Sequence, residues 1–292
     1  MSSSPLRELR EEDADAVAAL FGEAFGDARP ADGEEIRSWF RNEKLRPEWL
    51  RVLERDGAIV GYGDIWIQDD ELALDVAAPG CWDAFFEWAE HEGRDAGVPQ
   101  IRSYFPAGHE LEALVAARGY RPGRSSFTME AVLDGAAEAP GPPDGIALRT
   151  FREQDAEALR AALNDAFAET PGHHDISPLG FREFHLNSRG VDTTLWTLAW
   201  SGDDVAGFVL AYPERVGDPA LGWVGTLAVR KPWRRRGLGG TLLLTSFRDL
   251  YDRGRRRAGL GVDAENVDGA VRLYERAGMH VVQRFDNWVR EP

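Results

Sequence analysis

The run Arg234-Arg235-Arg236-Gly237-Leu238-Gly239-Gly240-Thr241 sets three guanidinium groups beside three glycines. Glycine has no Cβ, so backbone there can approach a ligand closely and take unusual φ values. The stretch that follows, Thr241 to Gly254, reads as a helix. The loop therefore ends at a helix N-terminus, whose free N–H groups and dipole favour an anion. With arginines alongside, a diphosphate is the natural occupant. Taken alone, the run also reads as a glycine-rich turn beside solvated arginines. It is neither of two common phosphate loops. A third glycine of GxGxxG would fall on Leu242, and no Gly-Lys-Ser/Thr run exists. HExxH and GxSxG are absent as well. A second candidate cluster is His173-His174-Asp175, in a Gly/Pro loop that opens at Glu169. Its imidazoles could serve as base or touch a substrate; as metal ligands they are too few, so no metal is expected.

These residues sit inside a repeat. Leu6–Phe25 is LRELREEDADAVAALFGEAF and Leu148–Phe167 is LRTFREQDAEALRAALNDAF, with 10 of 20 positions identical. Each copy reads as a short strand, then Arg-Glu-x-Asp-Ala opening an amphipathic helix with acidic residues in its first turn. Hairpins around Asp56-Gly57 and Gly202-Asp203 follow, each with a glycine inside its second strand. Leu74-Asp75-Val76 then mirrors Leu227-Ala228-Val229, and Leu114-Val115 mirrors Leu273-Tyr274. Between the copies, residues 134–145 (DGAAEAPGPPDG) can continue neither a helix nor a central strand. The expected organisation is a first α/β domain over 1–133, a linker over 134–145 and a second domain over 146–292. The copies differ most between Pro79 and Gly97, 18 positions, and between Pro232 and Gly259, 27 positions. On that alignment the first copy lacks nine residues where the second carries its Arg/Gly loop.

Composition narrows the field. The chain has 292 residues and a net charge of −16. Residues 1–145 hold 14 basic and 30 acidic side chains, and residues 146–292 hold 20 of each. A general nucleic-acid binder needs a basic face, so none is expected. The acidic first half reads as a solvated surface, or as a field that draws a cationic substrate. A single cysteine, Cys81, rules out an internal disulfide framework. No apolar run approaches the ~18 residues of a membrane span, and no apolar signal core follows Met1. A cytoplasmic protein is expected; its oligomeric state is not legible.

The succession Leu227-Ala228-Val229, Pro232, Arg234-x-x-Gly237-x-Gly239, Val262-Asp263-Ala264-Glu265-Asn266 and Leu273-Tyr274-x-x-x-Gly278 resembles the GNAT superfamily of N-acetyltransferases. The likeness covers about 149–290, and the repeat extends it to 6–133. It implies two tandem domains of α/β (α+β) class, each a mixed, mostly antiparallel sheet flanked by helices. It also implies acetyl-CoA as cosubstrate. Leu227, Ala228 and Val229 match the strand that pairs with the pantetheine arm. Arg234, Arg235, Arg236, Gly237, Leu238, Gly239 and Gly240 match the pyrophosphate loop, with Thr241 opening the next helix. Asn266 matches the asparagine facing the cofactor, and Tyr274 the tyrosine that protonates the leaving thiolate. A phenol with a pKa near ~10 suits that task. His173, His174 and Asp175 fall where such folds line the acceptor.

Two departures shape the expectation. Many members carry a glutamate on the strand before the pantetheine site; Leu221–Thr226 has no carboxylate, which leaves the base unassigned, with Asp263 and Glu265 as candidates. The first copy lacks the Arg/Gly loop, and Val115 and Ala107 stand where Tyr274 and Asn266 stand in the second. It reads as a degenerate lobe whose aromatics, among them Trp39, Phe40, Trp49, Trp66, Trp82, Phe85, Phe86 and Trp88, are mainly core. The expected function is acetyl transfer to an amine, on a small cationic molecule. The alternatives are a non-catalytic acyl-CoA-binding scaffold, or acetylation of the amine of a small thiol–sugar conjugate.

Overall fold

The computed structural model describes residues 6–40, 46–68, 70–135, 138–170, 175–188, 190–265 and 269–291. In chain order the first half runs β1 (Leu6–Glu8), α1 (Ala14–Phe25), α2 (Gly33–Trp39), β2 (Leu50–Arg55), β3 (Ala58–Gln68), β4 (Glu71–Ala77), α3 (Trp82–Ala96), β5 (Gln100–Pro106), α4 (Leu111–Ala117) and β6 (Arg121–Val132). The second runs β7 (Ala147–Thr150), α5 (Ala156–Phe167), α6 (Pro178–Phe181), β8 (Trp196–Ser201), β9 (Asp204–Tyr212), β10 (Leu221–Val229), α7 (Leu238–Asp252), β11 (Arg257–Asp263), α8 (Ala270–Arg276) and β12 (His280–Arg290).

Contacts divide the chain into two units that are not its two sequence halves. Unit 1 is residues 1–127, 263–265 and 283–292; unit 2 is 128–262 and 266–282. In unit 1, β1, β2, β3 and β4 are antiparallel neighbours, β4 pairs β5 in parallel, and β5 pairs β12 antiparallel from Pro106↔Phe285 to Ile101↔Arg290. In unit 2, β7, β8, β9 and β10 are antiparallel and β10 pairs β11 in parallel. The end of β6 then lies beside β11, and Leu133 N–H donates to the Arg256 carbonyl at 2.8 Å. The fifth strand of each unit is thus covered by the closing strand of the other sequence half.

The repeated Arg-Glu-x-Asp motif has a mechanical reason. Asp13 Oδ2 accepts from the backbone N–H of Arg10 at 2.8 Å, and Asp155 Oδ2 from that of Arg152 at 3.0 Å. Both carboxylates are buried, and each closes the turn that starts its helix. Arg7 adds two bonds to Asp13 at 2.7 and 2.9 Å and holds its carboxyl below the usual range.

α3 and α7 are both 15 residues long, which corrects the nine-residue deletion expected in the first copy. The difference lies mainly in the loops that precede them, 78–81 against 230–237. Matching Gly97 with Gly259 misplaced it, because α7 ends before Gly254. Most of the first-copy aromatics are core as expected, Phe85 and Phe86 fully so; Phe40 is exposed. Cys81 is buried and unpaired. Among the described residues no helix is long and apolar enough to cross a membrane.

Candidate functional site

In unit 2 the parallel strands part early. β10 and β11 share only the rungs Leu221↔Arg257, Gly222↔Ala258 and Trp223↔Gly259. Beyond them β10 keeps its partner on the other side, β9, through Val229↔Gly207, with a bulge between Val224 and Thr226. The bulge bends the strand away from β11. Its consequence follows from antiparallel alternation. Arg230 N–H donates to the Ala206 carbonyl at 2.9 Å, so that rung is hydrogen-bonded and the next, Val229↔Gly207, is not. Leu227 and Val229 therefore turn their backbone groups away from β9, toward the side that β11 has left. An extended chain laid there meets a ready β edge.

That edge leads to the Arg/Gly loop. Arg234 does not reach outward: Nε donates to the Val229 carbonyl at 2.9 Å and an Nη to the Ala166 carbonyl at 3.3 Å. It ties the loop to the strand end and to the last turn of α5, where a cation suits the helix dipole. Arg235 and Gly237 have φ of 63° and 86°; Arg235 is exposed, and Arg236 donates to the Asp144 carbonyl at 3.0 Å. Gly237 caps α7, and its carbonyl accepts from the N–H groups of Gly240 and Thr241. Among the described residues, no backbone acceptor serves the N–H groups of Arg235 to Gly239. Left-handed residues beside such unserved amides make the concave donor arrangement that holds anions. A Cβ on Gly239 would come within 3.3 Å of Leu273, so α8 packs directly on the first turn of α7.

Tyr274 follows Leu273 on α8 and is buried, and burial pushes its phenol up to about 12. It keeps its proton across the physiological range, which is the state a proton donor needs. Val115, its counterpart in unit 1, is fully buried apolar core.

Other expected residues fare differently. Leu238 and Thr241 are buried at the start of α7, so their side chains face the core and not the loop's outer surface. Asp175 is exposed and acts electrostatically on Arg160; His173, His174 and Asn266 lie outside the described residues. Asp263 Oδ2 accepts from Arg124 at 2.6 Å, with Glu265 3.5 Å from the same guanidinium. As bases both would first have to release that cation. The arginines after α7 have partners too: Arg253 with Asp192 and Thr194, Arg255 with the Pro219 carbonyl, Arg257 with Asp218 and Glu130. Arg256 lies over the Tyr251 ring at 4.2 Å. Among the described residues no group of three or more His, Cys, Asp or Glu could hold a metal.

The sequence reading missed the bulge at Gly225 and the two rings beside it, Tyr212 and Trp223. A glycine in mid-strand was the available signal.

A splayed parallel pair whose free edge runs into a glycine-rich helix N-terminus fits the family that the residues suggested. Residues 156–279 match the acetyltransferase (GNAT) family. This chain belongs to that family. A mycothiol acetyltransferase of Catenulispora acidiphila is 34% identical over 170 residues, which cover 57% of this chain and 54% of that protein. The chain thus spans just over half the length of that relative. A mycothiol acetyltransferase of Salinispora arenicola is 32% identical over 87% of this chain and 86% of its own length. Among solved structures, a GCN5-related N-acetyltransferase from Sphaerobacter thermophilus has a TM-score of 0.76 and 30% identity, covering 98% of this chain and 95% of that one.

Proposed function

We propose that the chain transfers an acetyl group from acetyl-CoA to the amine of a small molecule, at one site in unit 2. The observation that carries this is the freed edge of β10 at Leu227 and Val229, running into the unserved amides that start α7. The edge suits the amides of a pantetheine arm, and the amides from Arg235 to Gly239 suit a pyrophosphate. The family and its mycothiol acetyltransferase relatives support the same donor and a small acceptor, and acetylation of a thiol–sugar conjugate is the closest particular case they offer.

The chemistry asked of the residues is limited. A neutral amine nitrogen attacks the thioester carbonyl; a C–N bond forms and the C–S bond breaks. The N–H of Val229 supplies a backbone donor for the negative charge that develops on oxygen. Tyr274 gives its phenolic proton to the departing sulfur. The proton lost by the amine goes to solvent or to a group outside this set, since Asp263 and Glu265 are held by Arg124.

That last feature favours one rival, an acyl-CoA-binding protein without turnover. Calorimetric titration of acetyl-CoA into wild type and Gly237→Glu/Gly239→Glu, followed by an amine screen, separates the readings. One site per chain, lost in the variant, with turnover of an amine supports the enzyme. One site without turnover supports the binding protein, and no binding overturns both.

A further inference from the structure

β11 starts between two strands and keeps only one of them to its end. With β10 it shares three rungs, the last at Trp223↔Gly259. On its other side lies β6. Leu133 N–H donates to the Arg256 carbonyl at 2.8 Å, and Ala264 N–H to the Ser125 carbonyl at 3.0 Å. The two bonds lie eight residues apart on each strand, so a single antiparallel register, without net slip, carries β6 along the whole of β11. Past Gly259 the strand that guides β11 is therefore β6, which comes from the first sequence copy.

Ion pairs fix this pairing at both ends. Residues 257, 259, 261 and 263 of β11 share one face. Arg257 donates to Glu130 of β6 at 3.0 Å, and Asp263 Oδ2 accepts from Arg124 of β6 at 2.6 and 3.1 Å. Between the two pairs, that face of β11 carries only Gly259 and Gly261, which have no side chain to anchor it. Cross-strand pairs of opposite charge stabilise a sheet locally, and the Arg124 pair is the one that lies beyond the parting from β10. The Asp263 carboxylate is engaged through both oxygens, since Oδ1 accepts from the Glu265 N–H at 2.8 Å as the chain turns out of the strand. Glu265 adds a second acid 3.5 Å from the same guanidinium. Unpaired strand edges pair with what they meet. A loosened β11 end would close on the free edge of β10 or fray away from it, and either change deforms the gap between them.

We propose that Arg124 is a positioning residue of the acetyl-CoA site: through Asp263 it holds the end of β11 on β6, and so keeps open the gap beside β10 that takes the pantetheine arm. The inference rests on the acyl-transfer reading above. Arg124 acts through Asp263 and not on acetyl-CoA itself. It gives the first sequence copy, which has no Arg/Gly loop of its own, a part in the site of the second.

The test is calorimetric titration of the full chain with two probes. Acetyl-CoA carries the pantetheine arm; ADP has the diphosphate without the arm and engages only the loop before α7. Arg124 and Asp263 are both about half exposed, and exposed pairs are worth little, so Arg124→Gln weakens acetyl-CoA binding by only about two- to fivefold. Arg124→Glu sets a third carboxylate beside Asp263 and Glu265, and like charges across a sheet repel, so it weakens binding by about tenfold. Arg124→Glu/Asp263→Arg restores the pair with its charges exchanged, and the coupling between the two positions returns the Kd to within about threefold of wild type. ADP binds wild type and all three variants alike, because the Arg/Gly loop and α7 are untouched. An acetyl-CoA Kd that Arg124→Glu leaves unmoved, or that the exchanged pair does not recover, overturns the positioning role while the acyl-transfer reading stands. A loss shared equally by ADP also overturns it, since general damage to the fold would not spare the loop. A wild type that binds no acetyl-CoA overturns the acyl-transfer reading itself.

Discussion

β4 and β5 of unit 1 share four rungs, Glu71↔Gln100 to Leu74↔Ser103; β10 and β11 of unit 2 share three. Past those rungs the two units diverge. β4 keeps an unbroken register with β3 from Gln68↔Glu71 to Tyr62↔Ala77, while β10 bulges at Gly225. Asp75, where unit 2 has Ala228, faces Asp64 across the strands. Arg29 binds Asp75 through two bonds of 2.6 Å, and its guanidinium lies over Phe21 and Phe25 at 5.0 and 5.2 Å. Tyr62 donates to Asp64 at 2.8 Å. Unit 1 thus satisfies its polar groups with its own side chains at the place where unit 2 leaves backbone donors and open ground. The same fold offers backbone donors to a ligand where internal partners are withheld.

The largest expected effect concerns the units themselves. A chain cut to 146–292 begins as the second sequence copy but loses Thr128–Val132, which unit 2 uses beside β11, and it leaves β12 without β5. Exposed strand edges of that kind aggregate. The truncated chain is expected to be insoluble or to elute as aggregate in gel filtration, whereas the full chain stays dispersed. A soluble, acetyl-CoA-binding 146–292 would show that the exchanged strands are dispensable.

How much of this was legible in sequence depends on the kind of signal. Local patterns came through: the two Arg-Glu-x-Asp helix starts, the hairpins with positive φ at Asp56, Gly57 and Gly202, the strand before Pro232 and the helix after Gly237. They depend on residues close in the chain. The exchange of closing strands did not come through, because nothing in the residues of β6 or β12 names a neighbour, and either could serve beside β5 or β11. The inward turn of Arg234 was equally hidden, since an arginine next to glycines reads as an anion ligand until the Val229 carbonyl is seen to take it. Arg29, the only basic residue between Arg10 and Arg37, gave no hint that it would pair with Asp75.

Removing that pair sharpens the comparison. Asp75→Ala leaves the half-buried Arg29 guanidinium without the carboxylate that binds it, which is expected to cost less than the ~3–5 kcal/mol of breaking a fully buried pair. Arg29→Ala/Asp75→Ala removes both charges and is expected to cost less than the single variant, read as Tm by calorimetry. In neither variant does acetyl-CoA stoichiometry rise above that of wild type, because β4 has no bulge against β3 and only residues 78–81 lie between β4 and α3. A second equivalent bound by the double variant would show that the charge cluster alone had closed a working site.

Tyr274 against Val115 is the next contrast. Tyr274→Phe keeps the buried ring and removes the proton. It is expected to lower kcat by about 10²–10³-fold, within the usual range for a general acid, and to leave the acetyl-CoA Kd unchanged. With the wild-type phenol at about 12, the donor stays protonated, so kcat shows no alkaline loss from this group up to about pH 10, where an unperturbed tyrosine would be half ionised. An unchanged kcat in Tyr274→Phe would remove it from the chemistry and leave it as core, like Val115.

The smallest effect separates the two strand partings by pH. Burial, and then the charge of Asp75, push the Asp64 carboxyl up to about 8. In the unfolded chain an aspartate titrates near ~3.9. The folded state therefore holds this proton more tightly, and the stability it contributes is complete below about pH 4 and is lost as pH rises toward 8. Phe208, which faces Ala228 in unit 2, has no such proton. Stability is thus expected to fall between pH 5 and 8 in wild type, with Tm dropping by about 2–4 °C for each kcal/mol lost. Asp64→Asn keeps the shape and an acceptor for Tyr62 but cannot ionise, so its Tm should be flatter over that range and should gain on wild type as pH rises. A wild-type slope that survives in Asp64→Asn would assign the titration to another group and leave the unit 1 cluster neutral in its pH response.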